Sequence, residues 1–138
     1  MVTSLVRVNQ LLLERIEAVL RPLGLTFARY EVLRLLSFSS AGAMPMTRLG
    51  SLLQVHPTSV TSAVDRLESQ GFVARGRRED DKRVVLASIT PSGREVVERA
   101  TEGLNSEVFE QPGLSAAELT ALTELLGAIR AGAGDRVD

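Results

Sequence analysis

The sequence predicts a mainly α-helical domain with one small β-hairpin, and three observations carry that expectation. Apolar residues recur at spacings of three and four along most of the chain, as they do on one face of a helix. Two strand-like runs, Phe72–Arg75 and the β-branched Val84–Thr90, flank the charged loop "GRREDDKR". Proline, glycine and capping residues stand where the helical stripes begin and end. The 138 residues form one domain with no repeat, low-complexity block or linker.

The elements follow in order. Leu5, Val8, Leu12, Ile16, Val19 and Leu23 make the first stripe, which Leu11, Leu13 and Leu20 widen beyond one face; Pro22 and Gly24 end it. Thr26 is an N-cap for a second helix through Tyr30, Leu33 and Leu36. "SFSSAGAMP", Ser37 to Pro45, reads as a small-residue loop. Thr47 caps a short helix carrying Leu49, Leu52 and Leu53, which breaks at "QVHP". Pro57 suits the first turn of the next helix, where its missing N–H costs nothing, and Gly71 suits the position after its end near Gln70. After the hairpin, Thr90 and Pro91 cap and open a long helix with Val97, Ala100, Leu104 and Val108 in line. Pro112 and Gly113 break it, "SAAE" is a capping box, and Leu119, Leu122, Leu126 and Ile129 mark the last helix. Residues 131–138 read as a frayed tail.

Composition narrows the function classes. There is no Cys, which excludes disulfides, thiolate metal sites and cysteine redox sensing. No apolar run reaches membrane-spanning length, and the first residues lack a signal-peptide pattern, so a cytoplasmic location is expected. The net charge of −1 hides an asymmetry. Residues 1–90 carry 12 basic and 8 acidic side chains, whereas residues 91–138 carry 4 and 9. A polyanion partner is thus expected for the first part only.

The segment Met46 to Val73 reads as a helix, a short turn and a second amphipathic helix. On the second helix Val60, Ala63, Val64 and Leu67 form the apolar stripe, and the opposite face shows Thr58, Ser62, Asp65 and Ser69, flanked by Ser59, Thr61 and Arg66. Short hydroxyl side chains let a helix sit deep in a DNA major groove and reach phosphates or base edges; the alternative is that they simply cap the helix. A charged hairpin directly after such a pair makes a winged helix-turn-helix. Arg77, Arg78, Lys82 and Arg83 supply its positive charge. Asp81, two residues before Arg83, is placed to hold that guanidinium, while Glu79 and Asp80 are expected to accept backbone N–H groups. The alternative for the loop is a solvated tip with no partner.

The stretch Val60 to Val96 resembles the MarR-type (multiple-antibiotic-resistance regulator) winged-helix transcription factors. The resemblance lies in "DRLESQGFVAR", in the wing element Asp81-Lys82-Arg83 and in "ITPSG" opening the long helix. It implies a homodimer that binds a pseudo-palindromic double-stranded DNA operator, most often as a repressor, and a small-molecule effector that weakens binding. It further implies N- and C-terminal dimerisation helices at about 1–24 and 95–130, around a DNA-binding lobe at about 27–92. Arg83 would enter the minor groove with Asp81 as its orienting partner, and Arg66 and Arg75 would brace the wing or contact phosphate. The DNA-binding set is then Thr47, Pro57, Thr58, Ser59, Thr61, Ser62, Arg66, Arg75, Arg77, Arg78, Asp81, Lys82 and Arg83. One departure stands out. The recognition helix has no Arg, Lys, Asn or Gln before Arg66, so sequence choice leans on hydroxyls, thymine methyls and DNA shape.

The terminal helices argue separately for a dimer, since a first helix apolar on several faces and the adjacent Leu125 and Leu126 need cover. His56 reads as a turn or cap residue; Tyr30 with Phe27 and Arg29 could line a ligand cavity, but aromatic residues at helical spacing read as core. Enzyme, metal and cofactor motifs are lacking, and the effector site has no assigned residues. A winged-helix module that binds protein instead of DNA is the alternative function. A steep fall of affinity with salt distinguishes the DNA reading from it.

Overall fold

The computed structural model describes residues 1–53 and 57–135, in the order α1 (Val2–Leu20), α2 (Phe27–Phe38), β1 (Ala43–Pro45), α3 (Met46–Leu53), α4 (Pro57–Ser69), β2 (Val73–Arg77), β3 (Val85–Ile89), α5 (Pro91–Leu104) and α6 (Ala116–Gly132). A π-helical turn, Asn105–Phe109, prolongs α5. The strands form one antiparallel sheet in the order β1-β3-β2.

Local chemistry sets the helix ends. Gly24 adopts φ +76 after α1, a left-handed conformation that favours glycine. Thr26 accepts a hydrogen bond from the Arg29 N–H at 3.3 Å and starts α2. The Thr90 hydroxyl accepts from Gly93 N–H at 3.0 Å and starts α5. Ser115 and Glu118 exchange the two bonds of a capping box before α6.

Three expectations are corrected. Ser37 to Pro45 is not all loop: α2 runs to Phe38, and Ala43–Pro45 pairs with Leu86–Ser88 as a third strand. Pro45 is tolerated there because it ends an edge strand. Thr47 is the second residue of α3, not its cap. Residues 131 and 132, assigned to the tail, belong to α6; Arg130 Nε then donates to Asp135 at 2.5 Å across the helix end. Residues 136–138 lie outside the described residues.

The core gathers Leu20 of α1, Leu33 and Leu36 of α2, Leu49 of α3, Val64 and Leu67 of α4, Ala87 of β3 and Val97 of α5, all essentially without exposure. Burial of this apolar surface is the main stabilising term. Gly93 lets α5 start hard against the turn after α4, since a Cβ there would lie 2.2 Å from the Phe72 carbonyl oxygen. α1 is divided. Ile16 and Leu20 are buried in this core, whereas Val2, Val6, Val8 and Leu11–Leu13 are exposed. α6 contributes no buried residue, and Leu125 and Ile129 are 64 % and 55 % exposed. Among the described residues no helix is long and apolar enough to cross a membrane.

Candidate nucleic-acid interface

The second helix of the helix-turn-helix is α4. Val60, Val64 and Leu67 are buried and Ala63 is half-buried, so the helix has the phase its sequence predicts. Thr58, Ser59, Thr61, Ser62, Asp65, Arg66 and Ser69 are exposed, with Thr47 exposed at the start of α3. Pro57 is the first residue of α4. His56 lies outside the described residues.

The C-terminal end of α4 is held at two points. Gln70 Nε2 donates to the Gly24 carbonyl at 2.7 Å, which ties it to the turn between α1 and α2. The Thr90 hydroxyl donates to the Gly71 carbonyl at 2.7 Å, which ties it to the start of α5. Thr90 therefore both caps α5 and anchors the recognition helix.

The wing is the β2–β3 hairpin. Its tip closes through Arg78 N–H to the Val84 carbonyl at 3.0 Å and Val84 N–H to the Asp81 carbonyl at 3.1 Å. Asp81 Oδ1 accepts from Arg83 Nε at 3.0 Å and from the Arg83 backbone N–H at 3.1 Å, while Oδ2 accepts from a terminal guanidinium nitrogen at 3.2 Å. These bonds to Arg83 hold the Asp81 carboxyl below its ordinary value. The Arg83 side chain is nevertheless 91 % exposed, so the pair aims the cation outward and does not bury it. Arg77 donates to the Lys82 carbonyl at 2.9 Å, which draws a third cation into the tip.

The expectation for Glu79 and Asp80 is corrected. Among the described residues no backbone N–H donates to either. Asp80 Oδ1 instead sits 2.6 Å from Arg78 Nε, off the N–H axis, as an ion pair. The side-chain cation two residues back takes this carboxylate in place of the backbone.

Arg75 braces the wing against α4. It pairs with Asp65 and with Glu68 at 3.1 Å, and its backbone N–H donates to Glu68 at 3.1 Å. These bonds hold Glu68 below the ordinary carboxylate range and lock the wing to α4. Glu68, Gln70 and Thr90 were missed as supports of the site. Glu68 carried one usable signal, lying three residues after Asp65 toward the wing-facing side of α4. Tyr30 is buried, donates or accepts across a 2.9 Å contact with the Thr101 hydroxyl, and stacks on Phe27 with centroids 6.3 Å apart. Both rings belong to the core between α2 and α5.

A short helix, a recognition helix braced to a cation-tipped hairpin and two apolar flanking helices define a winged helix-turn-helix regulator of the DNA-binding class. The MarR family model matches residues 25–85. The multiple antibiotic resistance protein MarR of Escherichia coli K12 is 30 % identical over 121 residues, covering 86 % of this chain and 83 % of that protein. An HTH-type transcriptional regulator of Bacillus subtilis, YhbI, is 32 % identical over 85 residues, and the match spans 54 % of its length. Among solved structures, Sco5413, a MarR family transcriptional regulator of Streptomyces coelicolor, superimposes with a TM-score of 0.87 at 46 % identity, covering 99 % of this chain and 95 % of that one. A mutant Escherichia coli MarR complexed with operator DNA superimposes with a TM-score of 0.84 at 28 % identity, covering 92 % and 91 %. The chain belongs to the MarR family.

Proposed function

We infer that the protein is a homodimeric transcriptional regulator, acting as a repressor, that binds pseudo-palindromic double-stranded DNA under the control of a small effector. The observation that carries this reading is the Asp81–Arg83 pair, which holds a cation by two hydrogen bonds at a solvent-exposed wing tip. A guanidinium held outward in this way matches the enhanced negative potential of a narrow minor groove. Thr58, Ser59, Thr61 and Ser62 enter the adjacent major groove, with Thr47, Pro57 and Arg66 along the phosphates at its edge. Arg77, Arg78 and Lys82 add positive field around Arg83, and Arg75 holds the wing to α4. Residues at about 1–24 and 95–130 form the dimer, whose apolar contact includes the groove between Met1, Leu5, Leu122, Leu125, Leu126 and Ile129. A C₂ pair sets two recognition helices about one DNA turn, roughly 34 Å, apart. Such a protein works where the chromosome is, in the cytoplasm. The effector carries no residue assignment.

The test is selection of bound sequences from random duplex DNA. The expected product is a two-fold symmetric motif bound with a steep dependence on salt. A protein that enriches no motif and binds no duplex at low salt overturns the reading.

A further inference from the structure

A helix lying in a major groove has a DNA backbone on each flank. On α4 the wing-side flank carries Asp65 and Glu68, which engage Arg75. The opposite flank carries Ser59 and Arg66, seven residues apart and so on one line of the helix. This flank borders a cleft of about 590 Å³ whose far wall is the first turn of α2, with Thr26 and Arg29. No carboxylate lines the cleft, and among the described residues neither Arg29 nor Arg66 is in a salt bridge. Two guanidinium groups that form no salt bridge among the described residues thus share one concave surface with the Ser59 and Ser62 hydroxyls.

Arg29 is also pre-positioned. One terminal nitrogen donates to the Gly24 carbonyl at 3.0 Å, leaving the other guanidinium N–H groups for a ligand. The same carbonyl accepts from Gln70 at the end of α4, so the cation is referenced to the recognition helix itself. Gly24 is held at φ +76, which presents that carbonyl to both donors.

We propose that this cleft is a binding site for DNA backbone phosphate, with Arg29 and Arg66 its cations and Arg29 a DNA contact supplied from outside the helix-turn-helix. The proposal rests on the reading that α4 enters the major groove. The wing then holds one side of the groove and the α2 turn the other, so each subunit grips both strands. Arg guanidinium suits phosphate because its planar fork offers paired donors.

The experiment measures affinity against salt for the selected operator and for an unrelated duplex, using the parent protein and Arg29→Gln, Arg29→Lys and Arg66→Gln. Each phosphate contact contributes about 0.9 to the salt slope, so loss from both subunits of a dimer reduces its magnitude by roughly 2. Arg29→Gln and Arg66→Gln are each expected to show that reduction, equally on both duplexes, because phosphate contacts carry no sequence information. Arg29→Lys is expected to keep the slope. Unchanged thermal melting separates lost contact from lost fold, and the exposed Arg66 supplies the test if Arg29→Gln melts early. A parent with a steep slope and variants with the same slope overturn this proposal and leave the regulator reading intact. A parent that binds no duplex overturns both.

Discussion

Asp81 grips Arg83 with both carboxylate oxygens, at 3.0 and 3.2 Å, two residues away in the same tight loop. Two of the three acids of this loop engage its cations, Asp81 with Arg83 and Asp80 with Arg78. The carboxyl titrates below its ordinary value of 3.8, chiefly because of its bonds to Arg83. A lowered acid contributes its stabilisation above the unfolded value and loses it as pH falls through the folded one. The pair is therefore fully formed at neutral pH and is lost only in acid.

Asp81→Ala is expected to weaken operator binding several-fold, although it removes a negative charge next to DNA. Freed Arg83 samples many rotamers and loses that entropy on binding. The double variant with Arg83→Ala should bind little worse than Arg83→Ala alone, as a double-mutant cycle at fixed salt will read. Tighter binding by Asp81→Ala would show that the acid is only a repulsive surface charge.

Ser62→Glu places a carboxylate on the exposed face of α4. Operator binding should fall below detection, while stability changes by no more than about 0.5 kcal/mol, as at most exposed sites. Gel shift and thermal melting together check this. A protein that melts much earlier contradicts the exposure of Ser62.

The dimer is best tested on α6. Removing α1 would also remove Ile16 and Leu20 from the core of the same chain. Leu125 and Ile129 belong to no such core, so Leu125→Asp with Ile129→Asp should leave a cooperative melt and shift sedimentation from dimer to monomer. Persistence of a dimer in this variant places the contact elsewhere.

Glu31 is half-buried beside Val32, Leu53, Val60 and Ala63, and burial raises its pKa from 4.5. A raised acid favours folding at low pH and penalises it as pH rises above 4.5. Glu31→Gln should therefore raise the melting temperature by a few degrees at pH 7, and the gain should vanish near pH 4. An equal gain at both pH values would show that packing, not charge, is responsible.

Features written in neighbouring residues could be read from the sequence. The burial phase of α4 follows from Val60, Val64 and Leu67, the start of α5 from Thr90-Pro91, and the Asp81–Arg83 pair from a spacing of two. Features that need the chain to return on itself could not. β1 is three residues long and owes its existence to β3, more than forty residues later. The Arg75–Glu68 brace spans a helix-to-strand turn whose angle no local pattern states. The cleft joins Arg29 to Arg66 only because α2 packs on α4, and Arg29 alone looks like any solvated cation.

The last buried side chain of the described sequence is that of Val108, and α6 adds none. Ribosomal synthesis runs from the N-terminus, so every residue that closes the core of the single chain has been made before α6 appears. Folding of the lobe is then a unimolecular event that can finish first, and pairing a bimolecular event that waits for the final helix. At low copy number the paired form rises with the square of the protomer concentration. Occupancy of a two-fold DNA site then responds to the rate of protein synthesis as a threshold and not in simple proportion.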